Sequence, residues 1–397
     1  MIGQATRSTG SSLTVAGLFA GIGGIELGLH RAGHQTALLC EIDLAAASVL
    51  RQGFPDVALE PDVRHIHELP GVDVVAAGFP CQDLSQAGRT AGIGGRQSSL
   101  VGNIFRLLDS RKRSPRWLLL ENVSFMLQLD RGKAMRYLVD ELEGRGFCWA
   151  YRVVDTRAFG LPQRRQRVIL LASRREDPRN VLFADDVEPV ELQFTRDRWC
   201  GFYWTEGLRG LGWAVDALPT LKGGSTIGIP SPPAIWKPRT GEIVTPDIRD
   251  AERLQGFEAD WTTPVLDLPG IRPGHRWKLV GNAVSVPVAD WVGSRLASPG
   301  ELDRARIGRL LARGVSWPKA AFGSSGKVFP VSVSMWPVHI DSQPLQSFLK
   351  YPLVPLSARA ARGFYSRTQV SNLRFDDKPG FLDAVRRHAE RMTQAVA

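Results

Sequence analysis

A cysteine follows a proline at the end of an apolar run in VVAAGFPCQDLSQAG, residues 74–88. Most lone cysteines are small core hydrophobes, and Cys81 read that way would be inert. Presented at the mouth of a site, its thiolate would be a nucleophile. The flanking Pro80 and Gln82, and the glycine-rich DLSQAGRTAGIGG beyond them, favour the second reading, since such a segment suits a mobile active-site loop. Cys40, Cys148 and Cys200 have no such setting and are expected in the core. Glu121 closes the apolar run WLLLENV (117–123). It is either a solvated or helix-capping acid, or a proton donor whose partial burial raises its pKa toward neutrality. In LPQRRQRVILL (161–171), Arg165 and Arg167 lie two apart, so an extended chain projects both from one face. Two guanidinium groups so placed suit a nucleotide phosphate and a base carbonyl, or else form a solvated basic edge.

A second constellation points to a nucleoside. GLFAGIGGIELGL (17–29) reads as strand, glycine turn and helix, in which Gly21 and Gly23 let the backbone approach a ligand and leave helix N–H groups facing it. About 20 residues later Glu41, in EID (41–43), ends the next strand, where a carboxylate can take two ribose hydroxyls. Any nucleoside-containing cofactor fits, dinucleotides included, although GxGG is not the full GxGxxG fingerprint.

Positioning these groups requires strands that end at one edge. Apolar runs at Leu13–Phe19, Gln35–Glu41, Val72–Gly78, Arg116–Glu121, Trp149–Asp155 and Arg167–Ala172 alternate with helix-like stretches such as IELGLHRAG and AMRYLVDELEGRG, the second ending at a Gly-Arg-Gly stop. The pattern predicts an α/β fold with a doubly wound, mostly parallel sheet, whose ligands bind beyond the carboxyl ends of its strands. Residues 174–245 change character: Arg174, Arg175, Arg196, Arg198 and Arg209, the aromatic knot WCGFYW (199–204) and KGGSTIGIPSPP (222–233) predict a small, loop-rich module. Helical patterning returns at DIRDAERLQGF (247–257), and VGNAVSVPVADWVGSRL (280–296) reads as a turn and helix.

At 397 residues, more than one compact unit is expected. The four dispersed cysteines argue against a disulfide scaffold or a zinc site, and His65 and His67 have no evident third ligand, so no metal is expected. No apolar run approaches the ~20 residues that span a bilayer, and the polar first dozen residues lead into no signal-type segment, so a cytoplasmic protein without a membrane partner is expected. The net charge of +10 points to a polyanionic partner. Most of it lies in residues 301–397, where 15 lysines and arginines face 7 acidic residues.

Taken in order, FAGIGG, EID, GFPCQ, ENV, QRRQR, RDAERLQGF and GNAV resemble the DNA cytosine-5 methyltransferase family over roughly residues 13–296, with 174–245 matching by position alone. The resemblance implies a Rossmann-like, S-adenosyl-L-methionine-dependent catalytic domain. Its first part would span 13–173, with 174–245 as target-recognition region, 246–298 as the return segment completing the catalytic domain, and 299–397 as a basic C-terminal extension. It implies that Phe19, Gly21, Gly23, Glu41 and Ile42 hold the cofactor. Asp62 would meet the adenine amino group with Val63 beside it, while Gly78, Pro80, Leu100 and Asn282 line the pocket. Cys81 would add to carbon 6 of a flipped-out cytosine while Glu121 supports ring nitrogen 3. Arg167 would hold the base carbonyl and Arg165 the backbone near the active-site loop, both counted with the catalytic groups. Gln82, Ser85 and Thr220 would touch DNA. Before Leu18 the family commonly has an acidic residue; here Gly17 stands there, which leaves one cofactor contact unassigned.

The function expected is therefore methylation of cytosine carbon 5 in duplex DNA by a monomer, in a prokaryotic, nucleoid-associated setting, with restriction or phage-defence proteins as companions. A transfer-RNA-directed relative and a non-catalytic nucleic-acid-binding relative are the alternatives. A nicotinamide dehydrogenase would leave Cys81, Glu121 and Arg167 without a task.

Overall fold

The chain was analysed as a computed structural model, which describes residues 11–79, 100–110, 114–223, 232–312 and 314–394. It divides into two compact units, Met1–Asp155 with Gln166–Glu188 and Val284–Val338, and Thr156–Arg165 with Pro189–Ala283 and His339–Ala397. The segment 299–397, expected as one extension, is thus shared between the two.

The first unit is built on a nine-stranded sheet. Its strands are β1 (Thr14–Leu18), β2 (Gln35–Cys40), β3 (Ala58–Glu60), β4 (Val74–Gly78), β5 (Trp117–Val123), β6 (Cys148–Asp155), β8 (Gln166–Ser173), β14 (Ala320–Ser324) and β15 (Lys327–Pro330). Their spatial order is β15-β14-β6-β8-β5-β4-β1-β2-β3. The central strands β1, β4 and β5 are buried along nearly their whole length, as parallel strands in such sheets usually are, and the polar Glu121 and Asn122 stand only toward the end of β5. β3, β2, β1, β4 and β5 pair in parallel. The sixth expected strand departs from that pattern: β8 runs antiparallel to both neighbours, β5 and β6. The chain between β6 and β8 is too short for a crossover helix, and without one neighbouring strands must run in opposite directions. The hairpin β14–β15 then covers the free edge of β6, also antiparallel.

Helices α1 (Gly24–Arg31), α2 (Leu44–Gly53), α3 (Leu100–Asp109), α4 (Lys133–Glu143), α5 (Arg179–Leu182) and α8 (Val286–Ala297) belong to this unit. Asp43 caps α2 by accepting from Ala45 N at 2.9 Å. α1 and α8 approach closely because Gly28 lacks a side chain: a Cβ there would lie 2.5 Å from that of Ala289. The stretch 280–296 is not a turn leading into a helix. It is the end of α7 (His275–Asn282), a short connection, and then α8, which Pro287 opens from its first turn.

The second unit holds a five-stranded sheet in the order β10-β9-β12-β13-β16. It comprises β10 (Ala214–Val215), β9 (Cys200–Phe202), β12 (Ala234–Lys237), β13 (Glu242–Thr245) and β16 (Val354–Pro355). A small pair, β7 (Gln163–Arg164) with β11 (Leu218–Pro219), lies in the same unit. Its helices are α6 (Ile248–Arg253), α7, α9 (Leu345–Phe348), α10 (Ala358–Gln369) and α11 (Phe381–Gln394). Phe202 from the aromatic knot packs at 4.9 Å from Phe381 and 5.0 Å from Phe364, so the knot and the C-terminal helices share one core. Among the described residues, no helix is long and apolar enough to cross a membrane.

Candidate active site

Glycine and acid meet where β1 and β2 end. Phe19 adopts φ 55°, a left-handed conformation that costs an aromatic residue of order 1–3 kcal/mol and tends to mark functional turns. Gly21 and Gly23 follow with φ 57° and 84°. The turn is tied to the next strand: Ala20 N donates to Cys40 O at 3.0 Å, and Gly21 N donates to the Glu41 carboxylate at 2.8 Å. The other Glu41 oxygen accepts from Asp43 N at 2.8 Å. Both oxygens are thereby fixed in direction, and each keeps a lone pair for a hydroxyl donor.

The surroundings suit a flat, partly apolar ligand. A Cβ built on Gly21 would meet nothing within 4 Å, so this side of the turn is open. Beside Glu41, Ile42 is 62% exposed and Leu44 73%, large apolar side chains left facing outward. Asp62 precedes a short helical turn, with Val63 buried behind it. Hydrogen bonds from Arg64 hold its carboxyl well below the usual range, down to about 2, so it remains an acceptor at any working pH.

The second cluster comes from the strand reversal. Because β8 runs backwards, its first residues lie beside the carboxyl ends of β4 and β5: Gly78 pairs with Glu121, and Val123 with Arg167. Arg167 Nε lies 3.0 Å from Glu121 Oε1, both side chains about nine-tenths buried. Asn122 donates to Phe79 O at 2.9 Å and fixes the end of β4. Leu100, at the start of α3, packs partly buried against the same core. Pro80, Cys81, Gln82 and Ser85 lie outside the described residues. Cys40 and Cys200 are buried as expected, whereas Cys148 is only half-buried: burial pushes the Cys40 and Cys200 thiols up to about 12, and raises that of Cys148.

Three further expected residues belong to the second unit. Arg165, expected to hold the backbone near the active-site loop, is turned toward backbone carbonyls of its own unit. It is 1% exposed, and its guanidinium donates to the carbonyls of Leu221 (3.2 Å), Gly281 (3.2 Å) and Ala283 (2.6 Å). Its work here is to donate to three buried carbonyls, of which that of Ala283 also accepts from Gln255 Nε2 at 3.5 Å. Thr220 donates to Arg164 O at 2.9 Å and accepts from the Tyr203 hydroxyl. Asn282 is the last residue of α7.

Glu26, in the first turn of α1, was not singled out in the sequence. It is 1% exposed, and burial, followed by the Glu41 charge, outweighs its own backbone N–H and pushes its carboxyl up to about 7. The available signal was its helical position: it stands three residues before Leu29, on the apolar face of IELGLHR.

Comparison with known proteins places these groups in context. Residues 13–196 match the family model described as C-5 cytosine-specific DNA methylase. Over 393 residues the chain is 48% identical to the Type II methyltransferase M2.BsuMI of Bacillus subtilis (strain 168), covering 97% of this chain and 100% of that protein. The Type II methyltransferase M.HaeII of Haemophilus aegyptius is 31% identical over 298 residues, 68% of this chain and 88% of the relative. Among solved structures, the Dnmt2 methyltransferase of S. pombe superposes with a TM-score of 0.54 at 16% identity, over 72% of this chain and 98% of the other. That likeness speaks for the fold.

Proposed function

The chain belongs to the C-5 cytosine-specific DNA methylase family and is a DNA (cytosine-5-)-methyltransferase, and on that premise we propose that Cys81, Glu121 and Arg167 carry its chemistry on a cytosine turned out of duplex DNA. Carbon 5 of cytosine is a poor nucleophile, so the ring must first become electron-rich. Cys81, as thiolate, bonds through sulfur to carbon 6 while Glu121 delivers a proton to ring nitrogen 3, and the displaced electron pair makes carbon 5 nucleophilic. S-adenosyl-L-methionine, when bound, supplies the electrophilic methyl group. Loss of the carbon 5 proton and cleavage of the sulfur–carbon bond then return the thiolate, and nitrogen 3 gives its proton back.

The observation that carries this reading is the Glu121–Arg167 pair at the carboxyl edge of the sheet. Ring nitrogen 3 and the carbonyl oxygen of cytosine are neighbours on one edge of the base. A carboxyl and a guanidinium held side by side offer that edge two donors at once. Extruding the base costs a few kcal/mol, and Gln82, Ser85 and Thr220 are assigned to the DNA that gives it up.

For the cofactor, the fit rests on the open side of Gly21, the fixed Glu41 carboxylate, the exposed Ile42 and the Asp62 acceptor. Phe19, Gly23, Val63, Gly78, Pro80, Leu100 and Asn282 complete the assignment. Target reading is assigned to residues 174–245, supported by their compact sheet β9, β10, β12 and β13 and their exposed arginines. The setting proposed is a prokaryotic cytoplasm, with the enzyme acting as a monomer on nucleoid DNA beside restriction or phage-defence proteins.

Transfer of labelled methyl from S-adenosyl-L-methionine tests the reading. Wild-type protein should label duplex DNA and Cys81→Ala should not, while Glu121→Gln should retain roughly 10⁻² to 10⁻⁴ of the rate. DNA carrying 5-fluorocytosine at the target should trap the enzyme covalently, because fluorine cannot leave as a proton does. Label confined to transfer RNA, or no adduct on a verified target, would refute it.

A further inference from the structure

The unassigned contact at Gly17 has an occupant. A Cβ built on Gly17 would overlap the Glu26 carboxyl, with Cδ only 2.8 Å and Cγ 3.0 Å away. The carboxyl of Glu26, reaching back from α1, therefore fills the space that a side chain on β1 would take. We propose that Glu26 is the acidic contact for the cationic methionyl end of S-adenosyl-L-methionine, supplied from helix α1 because β1 has only Gly17 there. This rests on the reading of the glycine turn as the site for that cofactor.

Three observations support it. First, Glu26 Oε2 is buried and accepts no hydrogen bond among the described residues, and a native structure rarely leaves a buried carboxylate oxygen so. A donor is missing at this position, and the ammonium group of an amino acid is a donor. Second, α1 begins at Gly24 with Gly23 as a cap that offers no side-chain acceptor. The bare start of a helix carries partial positive charge and repels a cation. A carboxylate in the first turn reverses that sign. Third, Glu26 and Glu41 are close enough that the charge on Glu41 disfavours ionisation of Glu26. Two acids converging on one turn are relieved by a cation, and the cofactor carries one at its methionyl end while its ribose takes Glu41.

Calorimetric titration of the full chain with S-adenosyl-L-methionine and with adenosine, which lacks the methionyl part, separates the possibilities. Glu26→Gln should lose about tenfold to a hundredfold in affinity for S-adenosyl-L-methionine, the worth of one charge-assisted hydrogen bond, and should keep adenosine affinity within twofold. The double variant Gly17→Asp with Glu26→Ala returns a carboxyl to the same space from the strand, and should recover most of the loss seen in Glu26→Ala alone. Melting of each variant without ligand verifies that it is folded. Equal losses for both ligands would make Glu26 a support for the turn and overturn the proposal, as would unchanged affinity in Glu26→Gln. If wild-type protein bound adenosine but not S-adenosyl-L-methionine, the reading of the turn itself would fall instead.

Discussion

At the scale of single residues, burial sorts the ionisable groups by task. Glu26 ordinarily titrates near 4.5 and is pushed up to about 7 in the fold. Between these values the unfolded chain has released a proton that the folded chain still holds, so rising pH favours unfolding. The contribution is complete below pH 4.5 and is lost by about pH 7, roughly 3 kcal/mol at most. Thermal melts of the ligand-free protein should therefore fall across that window, with Glu41 the charged neighbour acting on Glu26, and Glu26→Gln should flatten the fall. A slope unchanged in the variant would assign it to other groups. Cys81 lies outside the described residues; the positions of Glu121, Arg167 and the glycine turn at strand ends were legible in the sequence, because these groups stand at the ends of apolar runs. The placement of Arg165 was not: two arginines two apart look equivalent along an extended chain, and only the fold turns one toward Glu121 and the other toward buried carbonyls.

At the scale of elements, the first unit depends on small residues where helices meet. Gly28 on α1 faces Val286 O and Ala289 of α8, and a methyl group there would lie 2.5 Å from each. Gly28→Ala should cost about 1–3 kcal/mol by overpacking, measured as a lower urea midpoint, with cofactor affinity falling alongside because α1 carries the glycine turn. Full stability in that variant would mean that the two helices separate freely. The six expected strands match β1, β2, β4, β5, β6 and β8 to within two residues, since strands buried on both faces announce themselves as continuous apolar runs. Hydropathy carries no direction, so the reversal of β8 could not be read from it. β3, β14 and β15 are short, half-exposed or interrupted by glycine and proline, and gave no signal above that of loop.

At the scale of the molecule, the basic C-terminal segment is structural. β14 and β15 complete the sheet of the first unit, while Phe364 and Phe381 are fully buried in the second. A buried histidine reinforces this: His388 accepts from Ile243 N at 3.2 Å and donates to Leu356 O at 2.8 Å, joining α11 to β13. Removing residues 301–397 should therefore abolish soluble, cooperatively folding protein rather than merely soften the salt dependence of DNA binding, and circular dichroism of the truncated chain would decide. Retained native spectrum and melting would make the segment an appendage after all. The sequence showed the charge of this segment clearly, but charge reports on partners and solvent, and says nothing of the apolar residues interleaved with it.

Each unit is assembled from three separated stretches of chain. On the ribosome, then, the first cannot close its sheet until Pro330 has emerged, and the second waits for the closing helix near the C-terminus. Nascent chains would spend most of their synthesis with apolar strand edges uncovered, a state that invites chaperones and aggregation. The same interleaving means that grafting a foreign specificity onto this scaffold requires exchanging several segments at once, because no single cut isolates either half.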